Sequence, residues 1–222
     1  MPNLKYEADL LIFDLDGTLV DTRRDLANAV NHALRQMGRT EVNLETLTGY
    51  VGDGIHKLLE RALGGADDDE LEIARQHFRH FYFDHLADFS KPYPGMTEAL
   101  EYFSATKKAV LTNKPQEFTE ALLQRLEICG YFEIIIGGQT NRKLKPDPEA
   151  IFEILGQLHV VPARAIIIGD GENDILAGKA AMIKTGAATY GFRPPEKLLA
   201  LQPDFVIHRA LELKNFIAQH RT

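Results

Sequence analysis

The chain has 222 residues, 45% of them hydrophobic, with a net charge of −7 and 1 cysteine. That is enough apolar material for one ordinary core, or a core with a small satellite. The acidic balance speaks against nonspecific nucleic-acid binding, which needs a basic footprint, and a lone Cys129 excludes an intrachain disulfide. No apolar run approaches the roughly 20 residues of a membrane span. The first residues, from Met1 to Asp9, lack the long apolar segment of a signal peptide. The expectation is a globular, cytoplasmic protein, monomer or homodimer, with neither membrane nor nucleic acid as partner.

The first apolar run, Leu10–Asp14, predicts a strand. It ends in two carboxylates one residue apart, Asp14 and Asp16, followed at once by Gly17 and Thr18. Gly17 predicts a bend that leaves Asp14 at the strand tip and Asp16 on the turn, both aimed at one small space. Two acids so close repel, and a metal cation is the usual way to keep both ionised. The four residues Asp-x-Asp-Gly are also an ordinary solvated turn.

From about residue 20 to 91 only helical periodicity is found. Leu26, Ala29, Val30, Ala33, Leu34 and Met37 fall at helix spacing, with Gly38 as a stop. A second stripe holds Ala74, Phe78, Phe81, Tyr82, His85, Leu86 and Phe89, and reads as core. Between them Gly49 to Gly54 form a glycine-rich loop that opens a helix running to Leu63. The peptide N–H groups of Gly52, Asp53 and Gly54 suit a substrate carboxylate; the glycines equally suit a permissive helix entry, and His56 and Lys57 suit the helix surface as well as the site. Asp67 to Glu70 reads as a solvated first helical turn. His77 and His80 have ligand spacing, but nothing nearby completes a metal site. About seventy residues is far too long for a plain connection between strands. The interval 20–91 is therefore expected to be a helical cap inserted after the first strand, with hinges near Leu19–Asp21 and Ser90–Pro94. Residues 1–19 and 92–222 form the remaining domain.

That remainder alternates strand-like and helix-like runs. Strands are predicted at Ala109–Thr112, Ile134–Gly137, Ala165–Asp170 and Phe205–Ile207. Helices are predicted at Thr97–Ser104, Gln116–Cys129, Pro148–Leu158, Glu172–Met182 and Ala210–Ala218. The alternation predicts a doubly wound, parallel-sheet (Rossmann-like) α/β fold. Polar residues stand at the strand ends. Thr112 and Asn113 suit phosphoryl oxygens, or a helix cap. Lys145 precedes a Pro-x-Pro segment that fixes its backbone, with Lys143 as the competing lysine. Asp170 ends a buried strand, where a carboxylate is costly unless paired or metal-bound, and Asp174 follows one helical turn later.

The string Asp14-x-Asp16-Gly17-Thr18-Leu19-x-Asp21 resembles the first motif of the haloacid dehalogenase superfamily. Thr112-Asn113, Lys145-Pro146 and Gly169-Asp170-x-x-x-Asp174 resemble its other three motifs, in order. The resemblance implies phosphoryl transfer at the C-terminal edge of the sheet. It implies Asp14 as nucleophile forming an aspartyl-phosphate, Asp16 as general acid and base, and Thr112, Asn113 and Lys145 on the phosphate. It further implies Mg²⁺ held by Asp14, the carbonyl of Asp16, Asp170 and Asp174, the last directly or through water. Asp16 argues against carbon–halogen hydrolysis, since dehalogenases lack this second acid. In the cap, the strings Asp25–Asn31 and Gly49–Leu63 are similar to phosphoglycolate phosphatases, which implies a small phosphorylated metabolite as substrate, 2-phosphoglycolate foremost. Another small phosphate such as pyrophosphate or a sugar phosphate, a phosphomutase, and a non-catalytic binding protein are the alternatives. Two positions depart from the pattern: Gly171 where relatives often carry Ser or Thr, and Ala181 where glycine is common.

Overall fold

The computed structural model describes residues 5–139 and 141–219. Among these, strands β1 (Leu10–Phe13), β4 (Lys107–Pro115), β5 (Ile134–Gly138), β6 (Ala165–Gly169), β7 (Lys184–Ala188) and β8 (Phe205–Ile207) form a 6-stranded sheet in the order β5-β4-β1-β6-β7-β8. Every pairing in it is parallel. Successive residues of the central strands enter opposite sides. Leu11, Phe13, Val110, Ile166 and Ile168 belong to one apolar cluster, and Leu10, Ile12, Ala109, Leu111 and Ile167 to the other. A strand covered on both faces needs apolar residues at every position, which is why these runs are continuous rather than alternating. Helices α5 (Met96–Tyr102) and α6 (Gln116–Arg125) cover the first face; α7 (Glu149–Leu158) and part of α8 (Glu172–Ala180) cover the second. The fold is the doubly wound α/β class expected.

One strand of the sheet and the helix after it lacked a sequence signal. Strand β7 reads Lys-Thr-Gly-Ala-Ala, with none of the large β-branched residues that mark a buried strand. Its residues are small because its neighbours fill the space: a Cβ at Gly186 would stand 2.5 Å from the Phe205 ring. Helix α9 (Pro195–Ala200) is a short turn after it. Other boundaries moved. Helix α6 stops at Arg125, followed by a 3₁₀ turn at Cys129–Tyr131, and the expected last helix divides into a 3₁₀ turn, Ala210–Glu212, and α10 (Leu213–Phe216).

The helical insert consists of α1 (Arg23–Gln36), α2 (Leu44–Tyr50), α3 (Ile55–Leu63) and α4 (Asp68–His85). The stripe of α1 meets that of α4, burying Leu26, Ala29, Val30 and Ala33 with Ala74, Phe78 and Tyr82. Gly38, at φ +66°, lets the chain turn out of α1. Asp67 caps α4 by accepting a 2.8 Å bond from Glu70 N, so the acidic run is a helix start. The chain enters and leaves the insert side by side: β2 (Val20–Asp21) pairs antiparallel with β3 (Lys91–Pro92). Beside them the buried carboxylate of Asp25 accepts bonds from Phe89 N at 3.0 Å and from Ser90 N and Oγ at 2.7 Å each. Among the described residues, no helix is long and apolar enough to cross a membrane.

Candidate active site

Strand order reverses at β1, which lies between β4 and β6. The helices diverge there, and a crevice opens beyond the strand ends. Asp14 leaves the end of β1, its N–H held by Ile168 O at 3.0 Å and its Oδ1 accepting from Leu15 N at 2.7 Å. The turn that follows requires Gly17. Its φ is +83°, and a Cβ there would lie 2.2 Å from Asp170 Oδ2.

Asp170 leaves the end of β6 and is buried against that turn. Thr18 Oγ1 donates to its Oδ1 at 3.0 Å, and Phe192 N to its Oδ2 at 2.7 Å. Burial, then the Asp14 charge, push its carboxyl up to about 8 despite those donors. Asp174, in the first turn of α8, is raised to about 6 by burial and by Asp14, against the pull of Lys145. Ligand atoms of Asp14, Asp170 and Asp174 lie within 4.8 Å of one another, the one group of its kind among the described residues. His77 and His80 thus complete no such group.

Lys145 stands inside this cluster. Its Nζ lies 2.9 Å from Asp14 Oδ1 and 2.5 Å from Asp174 Oδ1, and donates to Leu111 O at 2.7 Å. Burial opposes its charge, but Asp14 and Asp174 outweigh burial and push it up to about 12. Lys143, the competing residue, is 71% exposed and pairs with Asp147. One lysine against three carboxylates leaves an excess of negative charge. Each like pair at 4 Å costs about 4 kcal/mol at an effective dielectric near 20. A hard divalent cation with oxygen ligands fits this donor set.

The carboxylate of Asp16 stands apart from the cluster. It accepts from Thr22 Oγ1 at 2.7 Å and from Lys114 Nζ at 3.1 and 3.2 Å. Lys114 Nζ also donates to Tyr82 OH of α4 at 2.7 Å. Burial lowers and Asp16 raises the Lys114 ammonium, with a net upward shift. Burial likewise pushes the Tyr82 hydroxyl up to about 12.

Thr112 and Asn113 lie where β4 breaks register with β5, between Leu111 and Pro115. Thr112 lines the cavity, and its Oγ1 accepts a 3.3 Å bond from Lys114 N. The Asn113 side chain is engaged with backbone. Its Oδ1 accepts from Lys145 N at 2.8 Å, and its two amide hydrogens go to Lys145 O and Gly52 O, each at 3.0 Å. In this conformation Asn113 braces Lys145 and the cap loop instead of presenting a free amide.

The loop between α2 and α3 closes the crevice. Gly52 and Gly54 have φ of +123° and +85°, and a Cβ at Gly52 would stand 3.0 Å from Arg193 Nη2. Core side chains grip this loop. Arg193 donates to Gly49 O and Val51 O, and Asn173 donates to Asp53 Oδ1 at 2.8 Å. Asp53 also pairs with Arg61 at 2.6 Å. The cavity is about 220 Å³, with Asp14, Asp170 and Lys145 at its floor and Val51, Leu58 and Phe118 on its walls. Two members of the aromatic stripe, Phe78 and Tyr82, are both core and cavity wall. His56 faces a second groove, and Lys57 pairs with Glu60 at 2.7 Å, so neither reaches this cavity.

At Gly171, one of the two positions that depart from the expected pattern, the backbone N–H donates to Asp174 Oδ2 at 3.0 Å. Sequence reading gave no site role to Thr18 and Asn173, which sit inside motif segments, to Tyr82, read as core, or to Thr22 and Arg193. Lys114 adjoins Thr112-Asn113, and that adjacency was the available signal.

The family model for haloacid dehalogenase-like hydrolases matches residues 11–188. The chain belongs to this family. It is 36% identical to a phosphoglycolate phosphatase of Aquifex aeolicus over 214 residues, covering 95% of this chain and 97% of that one. It is 35% identical to phosphoglycolate phosphatase 1 of Pseudomonas aeruginosa, over 92% of this chain and 78% of that one. The crystal structure of a predicted phosphoglycolate phosphatase from Haemophilus somnus superposes with a TM-score of 0.88 at 28% identity, covering 93% of this chain and 96% of that chain. A haloacid dehalogenase-like hydrolase of Streptococcus pneumoniae superposes with a TM-score of 0.84 at 27% identity, covering 93% and 96%. A haloacid dehalogenase-like hydrolase with this crevice is an enzyme, and its four motif segments converge at one sheet edge.

Proposed function

We propose that this hydrolase is a Mg²⁺-dependent phosphomonoesterase that converts 2-phosphoglycolate to glycolate and phosphate. The observation that carries the reading is the Asp14 carboxylate at the floor of a small cavity, 2.9 Å from the Lys145 ammonium and beside the Asp170–Asp174 pair. Asp14 attacks phosphorus and takes the phosphoryl group, releasing the alkoxide. Asp16 protonates that leaving oxygen and then activates water on the aspartyl-phosphate. Lys145 holds negative charge on the transferring group at a fixed point. Asp14, Asp170 and Asp174, with the Asp16 carbonyl, would hold Mg²⁺, which supplies charge neutralisation for the phosphate.

The substrate size follows from the cavity. About 220 Å³ is below the ~300–1,000 Å³ of sites for drug-sized ligands, which suits a two-carbon phosphate ester better than a nucleotide. The names of the relatives point to the same ester. In this reading residues 20–91 act as a cap, and the Gly52–Gly54 loop shuts water out during transfer. The test is phosphate release with Mg²⁺ and with EDTA across phosphoglycolate, pyrophosphate, sugar phosphates and nucleotides, with Asp14→Asn as the blank. A phosphoglycolate kcat/KM well above the rest is the expected result. Broad, weak activity would overturn the substrate, and a burst without sustained release would indicate a mutase.

A further inference from the structure

The loop between α2 and α3 meets the core with acceptors, and the core supplies the donors. Among the described residues, three core side chains make those hydrogen bonds. Asn113 donates to Gly52 O at 3.0 Å, Asn173 to Asp53 Oδ1 at 2.8 Å, and Arg193 to both Gly49 O and Val51 O. Asn113 is also engaged with Lys145, whose N–H and carbonyl it bridges. Arg193 alone of the three carries a charge, and its fork takes two loop carbonyls at once.

Both ends of this tether are fitted to it. On the loop side, Gly49 O is one of the carbonyls that the end of α2 leaves without a helical partner. The guanidinium lies against Gly52, where a Cβ would stand 3.0 Å from Nη2. On the core side, the segment that carries Arg193 is pinned to the cavity floor. Phe192 N donates to Asp170 Oδ2 at 2.7 Å, a Cβ at Gly191 would lie 2.2 Å from that of Asp170, and Tyr190 OH donates to Thr18 O at 3.1 Å. Glu172 Oε2 stands 3.4 Å from Arg193 Nε, and the arginine side chain is 14% exposed. Its bonds to the loop are thus charge-assisted and mostly out of water, where such bonds are strong. Gly52 and Gly54, both at positive φ, give an untethered loop many conformations. Arg193 removes that freedom before any substrate arrives.

We infer that Arg193 is a positioning residue that holds the cap loop over the phosphoryl site in the substrate-free enzyme, acting through the carbonyls of Gly49 and Val51. Substrate then binds to a loop already in place and spends none of its binding energy on ordering it. Without the tether, the competent arrangement is only a fraction of the population, and apparent affinity falls by that fraction. The loss therefore falls on KM more than on kcat, since bound substrate restores the arrangement at saturation.

The inference rests on the reading above that this loop covers the reacting phosphate, and the experiment separates the two. Amide hydrogen exchange is followed by mass spectrometry in substrate-free wild type, Arg193→Ala and Arg193→Lys, on peptides spanning α2 to the start of α3, with α7 as the distant control. Steady-state kcat and KM for 2-phosphoglycolate are measured on the same proteins with Mg²⁺. In Arg193→Ala, exchange over the loop is expected to rise at least about tenfold with α7 unchanged, and KM to rise about tenfold with a smaller fall in kcat. Arg193→Lys keeps the charge without the fork and is expected to fall between the two. Wild-type exchange over the loop in a folded Arg193→Ala would overturn the inference, leaving the asparagines and the packing of Val51 to hold the loop. Equal rises in the loop and in α7 would make Arg193 a residue of general stability and overturn it too. So would faster loop exchange with an unchanged KM. If wild type leaves phosphoglycolate intact, the substrate reading fails, and the Kd for inorganic phosphate with Mg²⁺, measured by titration calorimetry, takes the place of KM: about tenfold weaker binding in Arg193→Ala supports the inference, and equal binding overturns it. Should Arg193→Ala not fold, Arg193→Lys decides, and wild-type values for its exchange and KM overturn the inference.

Discussion

Replacing Asp25 by alanine tests whether one buried carboxylate fixes the junction between cap and core. Asp25 is 1% exposed at the start of α1, and its oxygens accept from Phe89 N, Ser90 N and Ser90 Oγ on the segment returning to the core. Alanine removes the acceptor and leaves two peptide N–H groups and a hydroxyl without it. Each unsatisfied buried group costs about 1–3 kcal/mol. Part of this is recovered, because an ionised carboxylate no longer has to be buried and the hydroxyl can rotate to another partner. A net loss of about 3 kcal/mol follows, placing the variant among the severe single substitutions. In a chain of this length that corresponds to a fall in Tm of roughly 6–12 °C. Asp25→Asn keeps one acceptor oxygen and is expected to lose about half as much. Differential scanning calorimetry, with urea melts as a second measure, reads both variants. A loss below about 1 kcal/mol for Asp25→Ala would show that the return segment is held by its apolar packing, and the reasoning would be wrong.

Asp14→Asn is expected to abolish turnover with the fold retained, since an amide of nearly the same shape is a poor nucleophile; normal steady-state phosphate release would sink the mechanism. Lys145→Ala should lower kcat by at least ~10²–10³, the usual effect of losing a preorganised charge contact, while Lys143→Ala, on an exposed lysine, should match wild type. An unchanged rate for Lys145→Ala would remove it from the site. Metal and pH should be linked. Asp170 holds its proton up to about pH 8 in the folded, metal-free chain, against an ordinary value of 3.8, so its protonated form favours the fold. Without metal, that contribution is complete below about pH 4 and is lost as pH rises through 8. Mg²⁺ replaces the proton, so the rise in Tm on adding Mg²⁺ over EDTA should be larger at pH 9 than at pH 6. An equal or smaller rise at pH 9 would contradict the assignment of Asp170 to the cation site.

Much of this molecule was legible in the chain because the information is local. Continuous apolar runs marked β1, β4, β5 and β6, since a strand buried on both faces has no polar position. Seventy helical residues between one strand and the next marked the insert, since no connection needs that length. Carboxylates at strand ends marked the floor of the site, because a charge there requires a partner. Residues 184–188 carried no such mark: their smallness answers to Phe205, which is distant in sequence and adjacent only after folding.

The same distinction divides the site. The sequence by itself determined the fold class and put Asp14 and Asp16 together after the first strand, because a strand end followed by a tight turn leaves those side chains one place to go. Lys145 was preferred to Lys143 on the Pro-x-Pro that follows it, but the contacts that separate the two lysines, Asp14 and Asp174 for one and the exposed Asp147 pair for the other, needed the tertiary structure. So did the brace made by Asn113, the grip of Arg193 on the cap loop, and the bond from Lys114 to Tyr82. Each joins segments far apart in the chain, and no periodicity or spacing encodes which side chains meet across a gap between cap and core.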